Sequence, residues 1–324
     1  MKDCDGGDRK MIRLKAPGLS PLVCGLAVAI LLSGCSSAPI GMTPSSPLVA
    51  APVTAPDDET LKAMAHYSAI EATRRANGLL RTDGGGLDTP FSARDLAENF
   101  IAITFFDEFS DQGGQLVASG REVRLHRWTR PLRVAVEFGA SVPPDQQARN
   151  RAEIAAYVAR LSHITGLPAE TTDMNANFLV IVANPLERRA LRSRIIAFAP
   201  GTSSAALNSA LQMAPSTYCT VFGYSPGQSS FYDRSLAVLR AELPPLMLSA
   251  CIHEELAQGI GLVNDSPSAR PSIFNDNAEF ALLTKQDELL LKMLYDPRLK
   301  PGMTLNEARP IIALIASELL PDGV

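Results

Sequence analysis

The segment Asn177-Phe-Leu-Val-Ile-Val182 constrains the fold more than any other part of the chain. Its apolar run has no polar alternate, so a strand here offers no face to water and must be covered on both sides. Neighbouring stretches supply partners for it. Arg133-Val-Ala-Val-Glu-Phe138 alternates as a strand, and Asp145 to Ile164 has helical spacing stopped by Gly166 and Pro168. Ser216 to Phe222 and Ser235 to Leu239 read as further strands, and Pro245 to Ile260 as a helix with proline where a helix start tolerates it. That order predicts an α+β fold, a mixed sheet over one long buried helix. Helical additions flank it. Thr60 to Leu80 comes first, then a helix capped by Ser92 with Leu96, Phe100, Ile103 and Phe106 on one face. The last helix is capped by Thr304 with Glu307 completing a capping box.

Charge narrows the function classes. The 324 residues are 46% apolar and 20% charged, which supports a packed core, and the net charge of −4 argues against a general nucleic-acid binder. The sign is unevenly spread: from Gln112 to Arg240 there are fourteen Lys/Arg against eight Asp/Glu, and from Ala241 onward six against twelve. Arg121, Arg124, Arg127, Arg130 and Arg133 surround Trp128. They read either as a patch for anionic head groups or, preferably, as a solvated strand edge where arginines deter pairing.

The start of the chain reads as an address. Arg9, Lys10, Arg13 and Lys15 precede the apolar run Pro21 to Leu32, the layout of a secretory signal, and Met11 would open it more cleanly than Met1. Leu32-Ser33-Gly34-Cys35 resembles the lipobox of bacterial lipoproteins. The resemblance implies cleavage before Cys35, a diacylglyceryl group on its thiol, an acyl chain such as palmitate on the new amino terminus, and membrane lipid as a partner. Ser36 in the next position leans toward the periplasmic face of the outer membrane. The expected divisions are a signal peptide over 1–34, a lipidated Cys and Pro/Ser/Ala-rich tether over 35–59, a helical lead-in over 60–110, and an α/β domain over 111–324. With Cys4 and Cys24 removed and Cys35 lipidated, Cys219 and Cys251 remain in an oxidising space, where a disulfide is expected.

One stretch carries chemistry. The chain has only His66, His126, His163 and His253, so a three-histidine zinc site would consume nearly all of them. Read from His253, the helix fails as a zinc helix, because ligands must recur at i and i+4 and that place holds Ala257. One residue on, Glu254-Glu255-x-x-Gln258-x-x-Gly261-x-x-Asn264 has the spacing of the metzincin motif H-E-x-x-H-x-x-G-x-x-H. Downstream come Ser272-Ile273-Phe274, Leu283-Thr284-Lys-Gln-Asp287 and Leu294-Tyr295. They resemble the Met-turn and closing helix of that class, with Phe274 in the methionine position. From roughly Ser92 to Pro310 the chain resembles domain-of-unknown-function family 2927, a group of bacterial secreted proteins.

That resemblance implies a zincin-like fold with Glu255 as general base, a structural turn at Gly261 and Phe274, and Glu254, Gln258 and Asn264 in the ligand positions. Zinc favours imidazole and thiolate, so one carboxylate and two amides make a poor zinc site. The expectation is a membrane-anchored, non-catalytic binding or assembly module of the cell envelope, without a cofactor, whose partner is an envelope protein or peptide. The alternative is an atypical hydrolase in which a divalent metal and Glu255 activate water.

Overall fold

A computed structural model describes residues 55–321; the signal segment, Cys35 and most of the tether lie outside the described residues. In chain order, α1 (Asp58–Ala76) and α2 (Ala93–Thr104) lead into a hairpin of β1 (Phe106–Gln112) and β2 (Gln115–Glu122). Next come β3 (Arg127–Trp128), β4 (Leu132–Phe138), α3 (Pro144–Thr165), β5 (Ala169–Thr171) and β6 (Phe178–Ala183). Three short helices, α4 (Pro185–Arg189), α5 (Arg192–Phe198) and α6 (Ser204–Gln212), connect to β7 (Cys219–Tyr224), β8 (Phe231–Tyr232) and β9 (Arg234–Arg240). The chain continues through α7 (Pro245–Gln258), α8 (Lys285–Leu294) and α9 (Leu305–Leu319).

The apolar run that demanded two covers has them. All six residues of β6 are buried in a five-stranded sheet of order β5-β4-β6-β9-β7. Strand side chains alternate between faces, so Phe178, Val180 and Val182 join one core while Leu179, Ile181 and Ala183 join another. The first core includes Ile154 and Tyr157 of α3 and Leu248, Ile252 and Leu256 of α7; the second includes Ile195 and Phe198 of α5 and Leu207 and Leu211 of α6. Tyr67 of α1 and Leu96, Phe100 and Ile103 of α2 belong to the first core, so the leading helices pack with the sheet. β4, β5, β6 and β9 are mutually parallel, and only β7, on the sheet's edge, runs antiparallel to its neighbour. The fold is mixed α+β, as the order of patterns predicts.

Several readings are corrected. Phe106 opens β1 and is not the last face of α2, because the helix closes with Phe105 N–H bonding to Ile101 C=O at 3.0 Å. β7 begins at Cys219 rather than Ser216, and α7 ends at Gln258 rather than Ile260. The arginines around Trp128 do not line one strand edge but have separate partners. Arg121 pairs with Asp107 at 2.8 Å, Arg124 donates to Gly302 C=O at 2.8 Å and Arg127 to Leu294 C=O at 2.6 Å. Arg130 lies over the Phe231 ring, while Arg133 donates to Met174 C=O at 2.8 Å from β4, which has a neighbour on each side.

Candidate functional site

β7 and α7 form two walls of one cleft of about 1140 Å³. The expected disulfide joins them: Cys219 on β7 bonds Cys251 on α7, with Cα atoms 5.8 Å apart. The β1–β2 hairpin contributes Glu108 and Phe109, and the loop after α7 contributes Asp265, Ile273 and Asp276.

The end of α7 is held rigidly, which places the acidic side chains. Trp128 donates its indole N–H to Gly259 C=O at 2.9 Å, and Ser235 donates its hydroxyl to the same oxygen at 3.0 Å. Tyr295 O–H donates to Ile260 C=O at 2.9 Å. Gly261 has φ +131, and a Cβ there would lie 2.6 Å from His126 C=O, so a side chain at this turn would force the backbones apart. The following loop hangs on Asp287. Its carboxyl accepts from Ser272 O–H at 2.6 Å, Ile273 N–H at 3.1 Å and Thr284 N–H at 2.9 Å, while Phe274 is fully buried in the first core. The Leu-Thr-x-x-Asp signature is thus the capping box of α8, with Asp287 doubling as the anchor of the turn.

Among the residues singled out from sequence, Glu254, Glu255 and Gln258 line the cleft. The carboxyl oxygens of Glu254 and Glu255 and the sulfur of Cys219 lie within 4.8 Å of one another. Gln258 donates to Asp265 at 3.2 Å. Asn264 does not join them: its amide donates to Ala102 C=O on α2 at 2.9 Å, and Asp265, one residue on, faces the cleft instead. His253 is structural. Its Nδ1 accepts from Leu283 N–H at 3.0 Å, its ring stacks on Tyr157 at 4.0 Å, and burial pulls its pKa down to about 4.

The electrostatics are one-sided. Glu108, Glu254, Glu255, Asp265 and Asp276 meet around this cleft, and among the described residues no Lys or Arg pairs with any of them. Glu255 is only 4% exposed, and its Oε2 has no hydrogen-bond partner. A buried carboxylate without a cation is costly, so such groups hold their protons. Burial first, then Asp265 and Asp276, push Glu108 up to about 8. Burial and the adjacent Asp276 push Asp265 up to about 7. Burial raises Glu254 and Glu255 well above the carboxyl range, reinforced by Asp265 for the first and Glu108 for the second.

These donors do not fit a zinc ion. His253 is committed to Leu283, Asn264 faces α2, the Cys219 sulfur is bound in a disulfide, and among the described residues no imidazole joins the group formed by Cys219, Glu254 and Glu255. Sequence reasoning missed Glu108. Glu108 had one available signal: Gly113-Gly114, with φ +64 and +87, is the turn of the hairpin that carries it.

Fold and site together define a mixed α+β protein with an acidic cleft beside the antiparallel edge of its sheet. The chain belongs to the family described as protein of unknown function (DUF2927), whose match covers residues 93–313. No curated protein matches the chain in sequence.

Proposed function

We propose that this protein is a lipid-anchored envelope module that captures an extended peptide by strand addition to β7, without cleaving it. The observation that carries the reading is the outer edge of β7. Arg240 N–H bonds to Tyr218 C=O, and antiparallel pairing alternates from that point, so Thr220 and Phe222 face β9. Cys219, Val221 and Gly223 turn their N–H and C=O groups outward, toward a cleft that all of β7 lines. A free edge of this kind pairs with an extended chain through main-chain bonds, and neighbouring pockets select its side chains. The spacing of Glu254, Glu255 and Gly261 supports a zincin-like ancestry in which peptide alignment outlived the metal. Leu32-Ser33-Gly34-Cys35 supports anchoring through Cys35.

The test is Val221→Pro in the full-length protein. Proline removes one outward donor and leaves the bonds to β9, an edge position where proline is tolerated. Loss of extended-peptide binding with the circular dichroism unchanged is the expected result, and unchanged binding would refute strand addition. Loss of labelled palmitate on Cys35→Ala checks the anchor. A hydrolase using Glu255 as general base is the second reading, favoured by the unpartnered Oε2 of that residue. It requires a stoichiometric metal in protein purified without chelator, and peptide cleavage abolished by Glu255→Gln.

A further inference from the structure

We propose that the carboxyl floor of the cleft receives a Lys or Arg side chain of the bound peptide, held by Glu254 and Glu255 on one side and Asp265 on the other. This deepens the strand-addition reading and rests on it. A strand added outside β7 alternates its side chains as β7 does, so every second one points to the face on which Cys219 meets Cys251 of α7. That face is where Glu254 and Glu255 stand.

Three observations favour a cation there. The Oε2 of Glu255 is buried and accepts no hydrogen bond. The cations that line the cleft are committed elsewhere: Arg121 to Asp107 at 2.8 Å, and Arg74 to Tyr218, whose hydroxyl accepts from it at 3.2 Å. His126 is tied through Nδ1 to Arg124 C=O at 2.7 Å. Finally, the carboxyls come from three separate elements, Glu108 from β1, Glu254 and Glu255 from α7, and Asp265 and Asp276 from the loop beyond it. They converge on a space open to solvent, where a long side chain can enter with its stem along Val263 and Ile273. A buried ammonium or guanidinium would turn the protonated carboxyls into its counter-ions, and the displaced protons would pass to solvent.

The experiment compares two alternating Val/Thr pentapeptides with a central Lys or a central norleucine, by fluorescence anisotropy on the full-length protein in detergent micelles. The expected result is about tenfold or greater preference for the Lys peptide, the size of a charged hydrogen bond in place of none. Asp265→Asn and Glu255→Gln should each erase most of that preference, and Val221→Pro should weaken both peptides. Equal binding of both peptides, still sensitive to Val221→Pro, overturns the cationic pocket and leaves strand addition standing. Binding of neither peptide overturns both readings. Stoichiometric calcium bound at Glu255 and Asp265, with no Lys preference, overturns the pocket in favour of a metal site.

Discussion

Two groups of buried charge in this molecule are built on opposite principles. At the end of β9, Glu242 accepts from Arg240 at 2.8 Å and lies 3.4 Å from Arg188, with all three residues at 4% exposure or less. The remaining donors of Arg240 are taken by Thr217 C=O at 2.7 Å, Met213 C=O at 2.7 Å and Ala214 C=O at 2.8 Å. In the cleft, five carboxyls gather with no cation and few donors. The first group is closed in charge, its anion set between two guanidinium groups, although Arg188 Nε and Glu242 Oε2 have no hydrogen-bond partner. The second is complete only with protons or a positive ligand, which distinguishes a structural charge cluster from a receptive one.

The largest expected effect falls on the closed group. Glu242→Gln leaves two buried guanidinium groups without their anion and should destabilise the fold by about 3–5 kcal/mol, read from urea unfolding. Removing the strut between the cleft walls comes next. Cys219→Ser with Cys251→Ser opens a loop of 32 residues and should cost about 3–4 kcal/mol, read from the guanidinium midpoint. Gly261→Ala forces a left-handed residue against His126 C=O and should cost about 1–3 kcal/mol, read as a lowered Tm.

The smallest effect has the opposite sign, and there the comparison is most exposed. Glu255→Gln should stabilise the ligand-free protein at pH 8 by about 0.5–2 kcal/mol, since it removes a carboxyl the fold disfavours in its charged form. The pH dependence follows from the direction of the shifts. Asp265 and Glu108 have folded values of about 7 and about 8 against ordinary ones of 3.8 and 4.5, so the folded state keeps protons that the unfolded chain has released. Their contribution is complete below about pH 4 and is lost as the pH climbs to about 8. His253, lowered from 6.5 to about 4, acts in reverse, with its contribution complete above 6.5 and lost on acidification. Two carboxyl windows outweigh the single His253 window where they overlap, so the melting temperature should fall as the pH rises from about 4.5 to about 8, and Glu255→Gln should make that fall shallower.

Legibility from sequence tracked local physics. The strand buried on both faces, the Ser92 cap, the Thr304 capping box, the proline at the start of α7 and the Cys219–Cys251 bond all depend on patterns a few residues long or on simple counting, and all are present. The helices between β6 and β7 went unread although Asn184 with Glu187 and Ser203 each mark a helix start, because α4 and α5 are only five and seven residues long. The site was half legible. Helical spacing brought Glu254, Glu255 and Gln258 together, whereas beyond Gly261 the chain leaves helical geometry and spacing no longer decides direction. There Asn264 turned to α2 and Asp265 to the cleft. Glu108 arrives from a hairpin more than a hundred residues away, a contact that no local pattern encodes.

Carbon-detected NMR titration of the side-chain carboxyls in the ligand-free protein tests this contrast most directly. The account predicts that Asp265 ionises with a midpoint of about 7 and Glu108 of about 8, with Glu254 and Glu255 still protonated at neutral pH. Ionisation of all four below about pH 5, as in solvated carboxyls, would contradict it.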